Sequence, residues 1–116
     1  MSMERVLKAV MSLGLSEVDA QVYVFLALNG PHKANEITKN LSLYKEQLYR
    51  SLKNLRDKDV VKATIDYPVV FSAIPFEKIL DLLAEIKKEE AQALREVREE
   101  LLSSWKGMIK KNSKNS

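Results

Sequence analysis

Cysteine is absent from the 116 residues, which removes disulfides, thiolate metal ligation and thiol catalysis, and fits a cytoplasmic location. Histidine occurs once, at His32, so neither a catalytic triad nor a multi-histidine metal site can be assembled, and a loop residue ahead of a helix is its plain reading. With only three glycines, Gly14, Gly30 and Gly107, there is no glycine-rich phosphate loop. No apolar run approaches the roughly 20 residues that a membrane span needs, and residues 1–14 carry no secretory cleavage pattern. Carboxylates are plentiful, but Glu89, Glu90, Glu96, Glu99 and Glu100 alternate with Lys and Arg in one late segment. That is the pattern of a solvated helix face, not of an acid–base pair in a pocket. Neither an enzyme, a cofactor nor a membrane partner is expected.

What is present is an ordinary globular composition, 46% hydrophobic and 30% charged, enough for one small core. Residues 3–13 carry Val6, Leu7, Val10 and Met11 at helical spacing, and Gly14 ends that helix. Ser16 is placed to cap the next helix, with Asp19 three residues on as a short version of the capping-box acid. This second helix, residues 17–28, is expected to face inward with Val18, Val22, Phe25, Leu26 and Leu28. Asn29-Gly30-Pro31 stops it. A short helix over 34–40, a tight connection at 41–43 and a polar helix over 44–58 follow. The last buries one narrow stripe of Leu48, Leu52 and Leu55, the pattern of a helix-turn-helix. Two β-rich runs, 59–64 and 69–74, flank a polar turn, and a hairpin in this place is a wing.

From Phe76 a long helix is expected to about residue 109, roughly 45–50 Å at 1.5 Å per residue. Ile79, Leu83, Ile86, Glu90, Leu94, Val97, Leu101, Trp105 and Met108 step along it by 4, 3, 4, 4, 3, 4, 4 and 3. An eleven-residue repeat predicts a nearly straight or slightly right-handed pairing of helices. The stripe outlasts any surface the small domain can offer, so two copies are expected to pair through Ile79, Leu83, Ile86, Leu94, Val97, Leu101 and Trp105. Folding back onto its own domain is the alternative for this helix. Trp105 is read as packing in the pair, with an aromatic anchor for a ligand as its alternative. The organisation is therefore a domain over 1–75, a dimerisation helix over 76–109 and a disordered basic tail over 110–116.

The segment 13–23, LGLSEVDAQVY, and Leu26 to Pro31, LALNGP, resemble the opening of the TrmB-like transcriptional regulators of archaea. The likeness continues through Ala34-Asn-Glu-Ile and residues 47–61, and closes on Pro68, Phe71, Ala73 and Pro75. It covers about residues 13–76. The resemblance implies a winged helix-turn-helix, mainly α with a small β-hairpin, that binds DNA. Three departures matter. The length leaves no room for the sugar-sensing effector domain of larger members. The wing turn, residues 64–69, has no Lys or Arg. Asp59 stands where winged helices commonly place glycine, so it is expected to tolerate positive φ.

The net charge of +3 is unevenly spread: residues 30–63 hold eight basic and four acidic side chains, whereas residues 76–106 hold six and eight. On the polar helix over 44–58, burying Leu48, Leu52 and Leu55 turns Glu46, Arg50, Lys53, Asn54 and Asp57 outward, with Gln47 and Tyr49 on the flanks. The candidate DNA-contacting residues are Lys33, Tyr44, Lys45, Gln47, Tyr49, Arg50, Lys53 and Asn54. Arg50 suits guanine and Gln47 adenine in the major groove, while Lys33 and Lys53 suit phosphates. The expected function is that of a homodimeric, sequence-specific regulator on double-stranded DNA. Two alternatives stand beside it. One is a winged-helix protein-interaction module in a transcription or chromatin assembly. The other is a MarR-like repressor with a small-molecule pocket, which a deep apolar cavity near the wing and long helix would favour.

Overall fold

The computed structural model describes residues 2–114, and the chain divides into two units, one through Leu83 and one from Ala84. Helix α1 is Met3–Met11, opened by Ser2, whose side chain accepts from the Glu4 N–H. Helix α2 is Glu17–Asn29. Its capping box is complete: the Asp19 N–H donates to Ser16 Oγ at 3.1 Å, and the Ser16 N–H donates to Asp19 Oδ2 at 3.0 Å. The shorter acid therefore reaches as well as the usual glutamate does, and it is buried. Helix α2 lies at the centre of the core, burying Ala20, Val22, Tyr23, Val24 and Leu26 around much of its circumference. The inward face expected for it is correct at Val22 and Leu26, half-buried at Val18 and Phe25, and wrong at Leu28, which is 69% exposed. Gly30 then turns the chain with φ 82°, a region costly for a side chain.

Helix α3, Ala34–Leu41, buries Ile37, and Ser42 ends it in the left-handed region at φ 54°. Helix α4, Lys45–Asp57, buries Leu48, Leu52 and Leu55 with Ser51 between them. Asp59 adopts φ 59°, as its place in the pattern requires, and lets the Val60 N–H donate back to the Leu55 carbonyl at 3.0 Å. This closes the helix and aims the chain into the hairpin.

Strands β1, Val61–Ala63, and β2, Phe71–Ala73, pair antiparallel with Lys62 opposite Ser72. They are shorter than the β-rich runs around them. The turn between is held by Thr64, whose N–H donates to the Val70 carbonyl at 3.0 Å and whose Oγ1 accepts from the Val70 N–H at 2.9 Å. A third, single-residue strand was not foreseen. His32 exchanges two backbone hydrogen bonds with Phe71, at 3.0 and 2.8 Å. Its ring donates from Nδ1 to the Gly30 carbonyl at 2.8 Å and meets the Phe25 ring edge-on at 4.9 Å. The lone histidine thus locks the hairpin to the end of α2. Tyr23 does the same at the other end of the hairpin, its hydroxyl donating to the Ile74 carbonyl at 2.7 Å. Burial pushes that hydroxyl up to about 12.

Helix α5 runs Phe76–Lys114, beginning in the first unit and supplying the second. Two sequence expectations are corrected here. Ile79, placed first in the pairing stripe, is fully buried in its own domain, where it completes the core. The tail expected to be disordered from Lys110 is helical to Lys114, and residues 115–116 lie outside the described residues. No proline or glycine interrupts residues 108–114, and lysines in the last turns are favoured by the helix dipole. Among the described residues no helix is long and apolar enough to cross a membrane.

Candidate nucleic-acid interface

The short helix α3, the turn at Ser42 and helix α4 present one face of the first unit. Burial of Leu48, Leu52 and Leu55 fixes the rotation of α4, so Lys45, Glu46, Arg50 and Lys53 stand in solvent. Among the described residues, none of Lys33, Lys45, Arg50 or Lys53 has a carboxylate within 4.0 Å; the ion pairs lie in α1 and α5. The cations on this face are therefore free to meet an external anion. Two tyrosines stand among them, Tyr44 at 77% and Tyr49 at 48% exposure. Lys45 Nζ lies 6.0 Å from the centre of the Tyr49 ring, the outer limit of a cation–π contact. Tyr44, Tyr49 and Lys45 rim a groove of about 440 Å³ against Asn35 and Thr38 of α3.

Two of the expected contact residues have other partners. The Tyr44 N–H donates to Gln47 Oε1 at 2.9 Å, so this amide caps α4 in the way a glutamine at the third helical position does. A bidentate reading of adenine would draw on the same oxygen, whose second lone pair remains free beside the cap. Asn54 donates from Nδ2 to Asp19 Oδ2 at 3.3 Å and so ties α4 to the buried cap of α2. Although exposed, it is better described as a brace of α4. Lys33 is exposed, and its backbone N–H donates to Glu36 Oε1 at 2.8 Å, which caps α3. The outward projection of a helix position shows neither local capping nor a bond to a residue 35 positions away, so sequence reasoning missed both.

Beside α4 the hairpin encloses a second cleft, of about 690 Å³, with Lys53 and Arg56 on the helix side and Lys62 on β1. Arg56 and Lys62 were not among the expected contact residues. The signal lay in the spacing: Arg56 follows Lys53 by three residues on one helical face, and Lys62 sits on the first strand. The wing tip carries no cation, as the sequence indicates, and instead leaves Ile65 at 96% and Tyr67 at 93% exposure. A third cleft, of about 770 Å³, is lined by Lys58, Asp59, Lys62, Lys78 and Asp81 around Ile74, Pro75 and Leu82. It is open to solvent, and more of its exposed lining is apolar than polar.

On the second unit, Leu94, Val97, Leu101, Trp105 and Met108 are between 40% and 61% exposed, whereas Ile86 is half-buried; Leu83, the last residue of the first unit, is half-buried too.

A three-helix core, a helix-turn-helix and a hairpin closing on it define a winged-helix domain of the kind found in DNA-binding regulators. Residues 10–77 match the family model described as sugar-specific transcriptional regulator TrmB, and the chain belongs to that family. It is a family of transcriptional regulators, not of enzymes. An uncharacterized protein of Methanocaldococcus jannaschii, MJ1503, is 28% identical over 94 residues, 76% of this chain and 71% of that protein. Among solved structures, the ST1889 protein of Sulfolobus tokodaii superposes with a TM-score of 0.68 at 22% identity, covering 80% of this chain and 98% of that one. A possible transcriptional regulator of Methanosarcina mazei gives 0.68 at 19%, covering 85% and 88%. TrmBL2, described as an archaeal chromatin protein with a novel mode of DNA binding, gives 0.67 at 21%. That match covers 88% of this chain, which spans 41% of the TrmBL2 chain. These likenesses agree on the winged-helix fold.

Proposed function

We propose that this protein binds duplex DNA as a homodimer, with α4 of each copy entering a major groove and the second-unit helices pairing the copies. The observation that carries the DNA reading is the solvent face of α4, where, among the described residues, Lys45, Arg50 and Lys53 stand without carboxylate partners beside two exposed tyrosines. A cationic face held rigid by a buried leucine stripe has the chemistry that phosphates and base edges select. Arg50 has the fork geometry for guanine O6 and N7, while Lys53 is suited to a phosphate. The DNA binding ascribed to TrmBL2 supports the same reading for this chain. Pairing of two copies is supported by the run of half-exposed apolar residues from Leu94 to Met108, which the second unit leaves uncovered.

The test is duplex binding by variants. Arg50→Ala costs about 1–3 kcal/mol on a selected site and relaxes the base preference there. Lys53→Ala weakens all sequences alike and flattens the salt slope by about one unit. Equal binding by Arg50→Ala and the wild type across sequences removes the base-reading role.

A further inference from the structure

We infer that the cleft between α4 and the hairpin seats the phosphodiester backbone of one DNA strand, with Lys53, Arg56 and Lys62 as its cationic walls. The inference rests on the DNA-binding reading above and locates the grip of the wing at its base, not at its tip.

Three features carry it. First, the cations come from two different elements and line one open cleft of about 690 Å³. Its floor is Leu52, Val61 and Phe71, all buried, so the walls stand on fixed backbone. Second, none of the three cations is neutralised. Asp57 and Asp59 line the same cleft, yet among the described residues neither lies within 4.0 Å of a basic nitrogen. Three positive and two negative groups leave the cleft with a surplus of positive charge. Third, Lys62 is the one basic residue between Lys58 and Lys78, so the hairpin's only charge attraction for a polyanion sits on β1. Its tip offers Ile65, Asp66 and Tyr67, whereas Lys62 on β1 is exposed at the cleft. Base edges are reached mainly from the first turns of a recognition helix, where Lys45 lies. Lys53 and Arg56 come two to three turns later, where the helix leaves the base edges and the backbone passes.

The two aspartates make the cleft testable in both directions. Asn tolerates the left-handed backbone that residue 59 adopts at φ 59°, so Asp59→Asn removes a charge without disturbing the fold. Binding of the full-length chain to a labelled duplex is followed by anisotropy across a salt series, with thermal midpoints confirming folding. Arg56→Gln and Lys62→Gln each lower affinity roughly three- to tenfold on every sequence, and each flattens the log–log salt slope by about 0.9. Asp59→Asn raises affinity. If Arg56→Gln, Lys62→Gln and Asp59→Asn all bind as the wild type does while Lys45→Gln still weakens binding, the cleft lies off the DNA path and only this inference falls. If the wild-type chain shows no salt-dependent duplex binding, the DNA reading itself falls. Inorganic phosphate added at constant ionic strength leaves duplex binding unchanged if the cleft takes a polymer backbone. Selective competition, abolished by Lys62→Gln, would instead identify a small-anion site and overturn the assignment.

Discussion

Placing two carboxylates in the exposed apolar stripe of α5 is the sharpest perturbation of the proposed dimer. Leu94 and Val97 are 61% and 40% exposed in the single chain, so about half of each side chain remains for a partner to cover. Fully burying such a side chain contributes about 1.5–3 kcal/mol, and the remaining half therefore contributes about 1 kcal/mol. Two residues in each of two copies make four such contributions, or roughly 4 kcal/mol. The double variant Leu94→Glu, Val97→Glu should then weaken dimerisation by about a thousandfold, before any repulsion among the four new charges. Neither residue belongs to the core of the first unit, so the thermal transition of the winged-helix domain should persist. Sedimentation velocity across a concentration series reads the outcome directly. The expected result is a wild-type dimer at tens of micromolar and a monomeric double variant at the same concentration. A wild-type chain that is already monomeric there, or a double variant that remains dimeric, would refute the role given to this stripe.

Other expectations follow from the first unit. Asp19→Ala removes both the reciprocal cap of α2 and the acceptor for Asn54, and should destabilise the fold by about 1–3 kcal/mol in urea titration; a loss under about 0.3 kcal/mol would show that neither bond matters. Tyr23→Phe deprives the Ile74 carbonyl of its side-chain donor and should cost about 1 kcal/mol. Because the hydroxyl is raised to about 12 from an ordinary 10, its contribution is intact below pH 10 and is lost as pH rises from 10 to 12. Wild-type stability should therefore fall more steeply over that window than that of Tyr23→Phe, and parallel curves would contradict the assignment. Asp66→Arg places a cation on a wing tip that has none, and should raise duplex affinity and steepen the salt slope; a loss of affinity would mean that Asp66 itself makes a favourable contact.

The features legible in the sequence are those set by local chemistry. Helix starts follow from Ser16 with Asp19, and stops from Gly30 and Pro31. The inward stripe of α4 follows from the spacing of Leu48, Leu52 and Leu55, and the left-handed residue at Asp59 from its place between helix and strand. What escaped depends on partners distant in sequence or on single residues. The His32–Phe71 pairing is one residue long and has no periodicity to betray it. The burial of Ile79 is decided by how the first turns of α5 meet the core, although its spacing groups it with the exposed stripe. Leu28 looks inward on a helical wheel yet is 69% exposed, beside the open cleft that it lines with Ser72 to Phe76. Gln47 and Asn54 were assigned by direction alone, and direction does not reveal that one caps its own helix and the other braces α4 against Asp19. The spacing puts Arg56 on the face of Lys53, but the cleft that both share with Lys62 depends on how the hairpin packs beside α4.

The central claim is that the exposed face of α4 reads duplex DNA. It is tested most directly by selecting bound duplexes from a random-sequence pool with the wild-type chain, in parallel with Arg50→Ala. The account predicts enrichment of a motif by the wild type, retained in a salt-dependent manner, and loss of preference at one base step with Arg50→Ala. Retention of the pool without enrichment, or the same motif recovered by both proteins, would contradict it.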